Sequence, residues 1–270
     1  MFKSFFILCV VLSYSYANTV IDASVYVVCK NEEKHIKRLL ENVKDFKEVI
    51  LVDSGSEDKT LDIAKTYSNV KIYYHEWQGY AKQKAYALSL CSSKWVLNLD
   101  ADEAMSDEMR DEIKETIKND DCDGINSTRQ FYYLGKKPHR FIKYVRNLRF
   151  FKKEKGSYDI SNKVHEGMKI KGVVKNGKGV FVDYGTDSIT FQMQKQNEYS
   201  SLSAEENFEK GERVGALKLA FKMPLDFLKY YFLRRHFLDG LNGFIYSVNA
   251  AYYGFLKYAK IYELQKTLKN

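Results

Sequence analysis

The chain has 270 residues, which suits one large domain, alone or with an accessory segment, and argues against two full-sized domains. Because 45% of the residues are hydrophobic and 15% are aromatic, the composition excludes a disordered, collagen-like or coiled-coil protein. The net charge of +8 is concentrated in two basic tracts, 134–155 and 212–270, and the rest of the chain is acidic. These tracts would attract anionic partners such as phosphates, a nucleic acid or a membrane surface.

Residues 1–21 form a separate leader. It has a lone Lys3, an apolar run from Phe5 to Leu12 and a Ser15-Tyr16-Ala17 sequence that is similar to a signal-peptidase site. The apolar run is too short to span a bilayer comfortably. The four cysteines of the chain, one of which is Cys9 in this leader, form neither a C-x-x-C pair nor a metal-ligand spacing with histidine, which favours a reducing compartment. These residues alone leave a cleaved signal peptide and an uncleaved leader both open.

From residue 24 onward, short β-branched runs alternate with helical periods, which is typical of a parallel α/β sheet. The predicted strands are 24–29, 49–52, 70–74 and 95–99, and the predicted helices are 32–43, 60–67, 80–90 and 107–118. Each strand ends in polar residues. Because ligands of an open parallel sheet bind outside the carboxyl ends of its strands, we expect these polar residues to meet at one edge.

The turn after the second strand runs from Asp53 to Thr60. In this turn Gly55 can adopt positive φ and Asp58 can cap the next helix. A carboxylate at such a position can accept hydrogen bonds from a base or ribose, although a plain strand-to-helix turn explains the same residues. The chain has no G-x-G-x-x-G and no P-loop motif, so a dinucleotide oxidoreductase and a P-loop NTPase lose their main support.

Asp100 and Asp102 lie two residues apart at the end of the fourth strand. Such a pair suits Mg²⁺ or Mn²⁺, because these cations are held by one or two carboxylates together with substrate phosphates and water. The alternative is that both acids merely precede the next helix, for which Ser106 is the expected cap.

These motifs together resemble the family 2 glycosyltransferases. The resemblance rests on the following residues, in order: Asn31-Glu32 with Ile36; Asp53-Ser54-Gly55-Ser56 with Asp58 and Thr60; Trp77, Gly79 and Gln83-Lys84; and Asp100-Ala101-Asp102-Glu103. It continues through Val164-His165-Glu166 and Phe237 to Gly243 as far as Lys257-Tyr258, and so covers nearly all of the chain after residue 22. Glu57 departs from the pattern, since threonine is usual there. Within the family, the chain is similar to lipopolysaccharide core β-1,4-glucosyltransferases.

The resemblance implies a GT-A fold, in which a mostly parallel nucleotide-binding sheet is flanked by helices, and a single inverting displacement. It also implies a nucleotide-sugar donor and a divalent cation at the D-x-D motif. Carried over by motif, Asn31 and Glu32 line the nucleoside pocket, Asp53 contacts the base and Lys84 lies near the nucleotide. Asp100 and Asp102 contact the ribose and the metal.

An inverting transfer needs a general base for the acceptor hydroxyl, and a carboxylate is the common solution. Glu166 is the candidate, with His165 beside it to orient substrate or bind a phosphate; Asp159 and Glu103 are the other carboxylates that could serve. Without the resemblance, a solvated loop acid is the favoured interpretation of Glu166, and a core or surface histidine is that of His165.

Between Lys136 and Lys153, aromatic residues alternate with basic ones, including Arg140, Arg146 and Arg149. Aromatic and cationic side chains together can bind single-stranded nucleic acid, but no RNA-binding fingerprint is present. Sugars beside phosphates or carboxylates require the same residue types. We therefore expect this tract to bind an anionic acceptor and no nucleic acid, with a solvated pair of strands as the alternative.

From Tyr199 helical segments take over, and two are predicted at 217–233, interrupted at Pro224, and at 244–264. Their basic amphipathic pattern is typical of helices that lie on a membrane surface, although packing against the sheet would explain the same pattern. The predicted organisation is thus a leader at 1–21, a GT-A domain at 22–195 and a helical, basic extension at 196–270.

The sequence predicts a metal-dependent inverting hexosyltransferase that moves a hexose, with glucose favoured, from a UDP-sugar or other NDP-sugar to a lipopolysaccharide core acceptor. Because nucleotide sugars are made in the cytoplasm, we expect the protein there, peripheral on the inner membrane. For the same reason the leader, residues 1–21, is interpreted as a weak hydrophobic anchor or a mis-assigned start, with export as the alternative. The alternatives are an exported saccharide-binding or surface protein and a nucleotidyltransferase on a similar sheet.

Overall fold

A computed structural model describes residues 20–160, 168–186 and 188–267. Its strands are β1 (Ile21–Cys29), β2 (Phe46–Asp53), β3 (Val70–Tyr74), β4 (Trp95–Asn98), β5 (Glu103–Met105), β6 (Gly124–Tyr133), β7 (Arg146–Lys152), β8 (Gly156–Tyr158), β9 (Met168–Ile170) and β10 (Val174–Thr186). Its helices are α1 (Ile36–Asn42), α2 (Thr60–Ala64), α3 (Tyr80–Leu90), α4 (Asp107–Asn119), α5 (Ile189–Glu209), α6 (Ala216–Leu228) and α7 (Leu241–Thr267).

Eight strands form one sheet in the order β3-β2-β1-β4-β7-β6-β10-β5. The first four are parallel, as the alternating sequence pattern predicted, and β6 and β10 are also parallel. Strand β7 runs antiparallel to β4 and β6, and β5 runs antiparallel to β10, while β8 and β9 form a separate antiparallel pair. The prediction of a mostly parallel α/β sheet flanked by helices, followed by C-terminal helices, is confirmed.

The sheet is buried on both faces. Alternate residues of β1 point to opposite sides, so that Val25 and Val27 join one apolar cluster with Leu39 of α1, whereas Tyr26 joins a second cluster with Leu88 of α3. Burial on both faces explains why the central strands are almost continuous apolar runs in the sequence. The helices therefore cover the faces and leave the carboxyl edge of the strands open for a ligand.

Several predicted boundaries shift by a few residues. Helix α1 begins at Ile36 instead of Glu32, because Asn31 adopts φ of 57° and the chain turns before the helix starts. Ser106 caps α4 as predicted, since its Oγ accepts a hydrogen bond from the backbone N–H of Met109 at 3.2 Å. Asp58 precedes the N-cap residue of α2, and its carboxylate accepts hydrogen bonds from the N–H groups of Thr60 and Glu33.

The C-terminal helices pack on one another beside the sheet. Helix α5 begins at Ile189, so the predicted boundary at residue 195 falls inside it. Helix α6 contains Pro224 and continues into a π-helical turn, Lys229–Leu233, and then a 3₁₀ turn, His236–Asp239. Both α5 and α6 pack against α7. Across the described ranges, no helix is long and apolar enough to cross a bilayer.

Candidate functional site

A cleft of about 1770 Å³ opens at the carboxyl ends of β1 and β4. The residues predicted from the sequence that line it are Asn31, Glu32, Lys84, Asp100, Asp102, Arg146 and Arg149. Further lining residues come from β6, the start of β7, the end of β10 and helix α5. The expectation that polar residues after several strands meet at one edge is met for Asn31, Glu32, Asp100 and Asp102, whereas Lys84 belongs to α3 and the two arginines belong to β7.

Asp100 is the best-anchored carboxylate in the cleft. Lys84 Nζ lies 2.7 Å from its Oδ1, and Arg149 Nη2 lies 3.2 Å from its Oδ2. Burial alone would raise the pKa of Asp100, but the positive charges of Lys84 and Arg149 outweigh burial and hold it well below its ordinary value. Asp100 therefore remains ionised and can accept hydrogen bonds at all physiological pH values.

Glu103 contacts both Asp100 and Arg149 and is fully buried. Its carboxylate accepts hydrogen bonds from the Asp100 N–H at 2.9 Å and from Arg149 Nη2 at 2.7 Å. Burial is the main reason that its pKa rises to about 8. The sequence left Glu103 as an alternative general base, but this burial suits a residue that positions Asp100 and Arg149.

Asp102 differs from Asp100 in having no directly bonded cation among the described residues. Among the described residues, its half-buried side chain accepts no hydrogen bond and forms no ion pair, and burial together with the charges of Asp183 and Asp100 raises its pKa to about 6. A carboxylate that lines a cleft without a bonded cation suits a divalent metal ion. No group of three or more His, Cys, Asp or Glu side chains in the described ranges could hold a metal ion, so further ligands would have to come from donor phosphates and water.

Sequence reasoning missed three charged residues around Asp102. Arg129 of β6 donates to Asp183 of β10 at 2.6 Å, and Lys195 of α5 lies close enough to lower the pKa of both Asp102 and Glu32. All three line the cleft. Arg129 and Asp183 lie in strands whose alternation of polar and apolar residues was the available signal, because period-two alternation indicates one wetted face.

The loops after β1 and β2 are joined through Asn31. Its backbone N–H donates to Ser56 Oγ at 2.9 Å, and its side-chain Oδ1 accepts from the N–H of Glu57 at 2.8 Å. The atypical Glu57 thus contributes only its backbone to this contact. The neighbouring Glu32 has its pKa raised to about 7, first by burial and then by the charge of Asp102. Asn31 and Glu32 together form one wall of the cleft, and the hydrogen bonds of Asn31 connect this wall to the loop after β2.

Asp53 does not line the cleft. It is buried, and its carboxylate accepts hydrogen bonds from the N–H groups of Gly55 at 2.8 Å and Ser56 at 3.0 Å. The side chain thereby closes its own turn, in which Gly55 has φ of 94°. Contact between Asp53 and a base stays a prediction.

The three arginines of the basic tract lie in different environments. Arg149 is buried and pairs with Asp100 and Glu103, so it supports the lining of the cleft. Arg146 is exposed and lines the cleft. Arg140 is also exposed, but it lies over the ring of Phe141 and outside the cleft lining. Glu166 and His165 lie outside the described residues. Asp159, the remaining candidate base, pairs with Lys169 at 2.8 Å.

The chain is similar in sequence to known glycosyltransferases. A model of the family described as "Glycosyl transferase family 2" matches residues 24–169. The lipopolysaccharide core biosynthesis glycosyltransferase LpsC of Rhizobium meliloti is 36% identical over 248 residues, which cover 89% of this chain and 92% of LpsC. An uncharacterized glycosyltransferase of Rickettsia typhi is 35% identical over 260 residues, covering 92% of this chain and 89% of that protein.

Among solved structures, that of S. aureus TarS 1-349 in complex with UDP-GlcNAc aligns with a TM-score of 0.50 and 15% identity, covering 91% of this chain and 92% of TarS 1-349. At this identity the likeness concerns the fold alone, and it agrees with the predicted GT-A architecture. The family match and the similarity to LpsC over most of both chains carry the assignment. This chain belongs to the family 2 glycosyltransferases.

Proposed function

We propose that the protein transfers a hexose, with glucose favoured, from a UDP-sugar or another NDP-sugar to a lipopolysaccharide core acceptor with inversion at the anomeric carbon. The observation that carries the proposal is the pairing of Asp100, which is held by Lys84 and Arg149, with Asp102, which forms no ion pair among the described residues, at the carboxyl edge of a GT-A sheet. Membership of the family argues against the exported saccharide-binding protein and against the nucleotidyltransferase.

The donor would bind between the β1 loop and the floor of the cleft. Asn31 and Glu32 would line the nucleoside, and Asp100, which Lys84 and Arg149 keep ionised, would accept hydrogen bonds from ribose hydroxyls. Asp102, with Asp100 beside it, would hold Mg²⁺ or Mn²⁺. Such a cation supplies positive charge that stabilises a diphosphate leaving group. Asp53 would reach a base only if its turn opened, because its oxygens are bonded to that turn.

The acceptor hydroxyl needs a base on the side of the cleft opposite the diphosphate. Glu166 is the proposed base and His165 is proposed to orient the acceptor, on the strength of their motif. Of the rival carboxylates, Glu103 is fully buried and Asp159 is paired with Lys169. Neither rival is better suited to receive a proton from a bound sugar.

The acceptor is proposed to be anionic and lipid-linked. Arg146 at the cleft and Arg140 on the adjoining loop, residues 134–146, carry the positive charge that would attract it. LpsC is named for lipopolysaccharide core biosynthesis, which supports this substrate class. A cytoplasmic protein at the inner face of the inner membrane would have access to both substrates.

A panel of nucleotide sugars measured by thermal shift, with and without Mn²⁺, tests the donor. We expect a UDP-sugar, with UDP-glucose favoured, to raise the melting temperature most, because a ligand at 100 times its Kd stabilises the folded state by about 2.7 kcal/mol. Mn²⁺ should enlarge that shift. A chain that responds to no nucleotide sugar in either condition would refute the proposal.

Gly185 is expected to be essential for the position of Asp102. A Cβ at residue 185 would lie 2.0 Å from Asp102 Oδ2 and 3.3 Å from Asp183 Oδ1, so Gly185→Ala must displace the Asp102 carboxylate. A displacement of about 1 Å near the reacting groups can reduce the rate by about 10². Steady-state kinetics with UDP-glucose and the acceptor, beside a melting curve, measures the effect.

Gly215→Ala is the matched control, because an added Cβ there meets no atom within 4 Å and φ of −97° is open to alanine. It should keep normal turnover. Equal rates in the two variants would contradict the role of Gly185.

A further inference from the structure

The segment 216–241 leaves large apolar side chains in solvent. Leu217, Phe221 and Leu225 are 77%, 58% and 60% exposed, and their spacing of four residues aligns them on one side of α6. The exposed apolar residues continue beyond α6 as Leu228, Phe232, Leu233, Phe237, Leu238 and Leu241. We call these nine residues the docking face.

The docking face is not the side of α6 that packs on its neighbour. A narrow apolar groove between α6 and α7 is lined by Leu219, Ala220 and Met223 from α6 and by Phe255 from α7. Leu217, Phe221 and Leu225 of the docking face occupy other positions of α6 than these groove residues. A cluster of large exposed apolar side chains within one short segment often marks an interaction site.

Positive charge accompanies the docking face. Segment 216–241 holds five Lys or Arg residues against two Asp, and of these acids Asp226 pairs with Lys222 at 3.0 Å. The neighbouring loop, residues 134–146, holds five Lys or Arg residues and no Asp or Glu. Apolar side chains flanked by cations match an anionic lipid surface, which offers acyl chains beneath negatively charged headgroups.

The loop 134–146 connects the docking face to the cleft. Arg234 and Lys143 exchange backbone and side-chain contacts, with the Lys143 N–H donating to the Arg234 carbonyl at 3.0 Å. The His139 N–H donates to Asp239 Oδ1 at 2.8 Å. The loop also exposes Phe141 and Val145 and ends at Arg146, which lines the cleft. The docking face and the cleft are therefore joined by the loop 134–146, which is hydrogen-bonded to the segment 216–241.

We propose that the docking face binds the surface of an anionic membrane and thereby presents the Arg146 side of the cleft to acceptors embedded in that membrane. Its occupant is a bilayer, with Phe221 and Leu225 among the headgroups and the loop 134–146 beside them. The part of the proposal that concerns the acceptor rests on the proposed function. Membrane binding itself does not.

Cosedimentation of the full chain with vesicles tests the proposal. We compare vesicles of phosphatidylglycerol and phosphatidylcholine with vesicles of phosphatidylcholine alone, and the variant Phe221→Asp/Leu225→Asp with the wild type. The wild type should sediment with the anionic vesicles, less so at high salt, and the variant should bind at least about tenfold more weakly. Because residues 1–21 are present in every protein compared, their contribution is the same in all.

Tyr74→Asp/Val173→Asp is the matched control, since these residues are 69% and 61% exposed away from the docking face. It should bind vesicles as the wild type does. Equal binding by the docking-face variant, or no binding by the wild type, would overturn the proposal. So would a wild-type dimer in ultracentrifugation that the variant converts to monomers without any vesicle binding, which would make the face an interface between two copies.

The thermal shift with UDP-glucose and Mn²⁺, measured without vesicles, separates the two proposals. The docking-face variant should keep the wild-type shift. Vesicle binding without any donor-induced shift would support the docking face while refuting the proposed function.

Discussion

Replacing Asp102 with Asn is expected to lower the transfer rate by about 10³ or more and to remove the Mn²⁺-dependent part of donor binding. Among the described residues, the Asp102 carboxylate accepts no hydrogen bond and forms no ion pair, so its charge is available to a cation. The amide keeps the size of the side chain but removes that charge. Kinetics over a range of Mn²⁺ concentrations, together with donor thermal shifts, measures both effects.

Asp111→Asn makes the same chemical change at an exposed position of α4 and should leave kinetics and metal dependence unaltered. The melting temperature of Asp102→Asn should not fall, because removing an unpartnered half-buried charge relieves repulsion with Asp183 and Asp100. A folded Asp102→Asn protein with normal turnover would dismiss the metal assignment.

The change Glu166→Gln is expected to lower kcat by about 10² to 10⁴ while donor affinity stays unchanged. A general base contacts the acceptor hydroxyl and not the nucleotide, so only proton transfer is lost. The acidic limb of the pH–rate profile, which reports ionisation of the base, should disappear with it. Donor thermal shifts and a pH–rate profile, measured on the same preparation, separate this role from a structural one.

Glu154→Gln is the control, since Glu154 is an exposed acid of the same basic tract. A parallel loss of donor binding and melting temperature in Glu166→Gln would indicate a structural or nucleotide-binding residue. Near-normal kcat would transfer the role to Asp159, because the other rival, Glu103, is fully buried.

The first half of the fold was predictable because its signals are local. Runs such as Val25 to Val28 and Val49 to Val52 are apolar in every position, which is typical of strands covered on both faces. Polar residues that directly follow such strands must lie at the carboxyl edge, and Asn31, Glu32, Asp100 and Asp102 do line the cleft. The positions of the strands in the sequence were therefore enough to predict that these four residues lie together.

The rest depended on contacts between distant parts of the chain. Arg149 belongs to a tract rich in exposed basic residues, and its burial becomes intelligible only when Asp100 and Glu103 are known to lie beside it. Asp183 of β10 and Lys195 of α5 line the cleft, although both lie more than 80 residues after Asp100 in the sequence. No spacing rule connects residues that far apart, so the sequence missed them.

Helix α5 joins two regions that the sequence had divided at residue 195. Its first half lines the cleft with Lys195 and Tyr199, whereas its second half packs through Ala204 against Ile261 of α7. Removing or exchanging the C-terminal helices between related enzymes would therefore also replace a wall of the cleft in which the donor is proposed to bind. Chimeras meant to redirect such an enzyme to a new acceptor should keep residues 189–209 with the helices that follow, and should be screened for altered sugar selectivity.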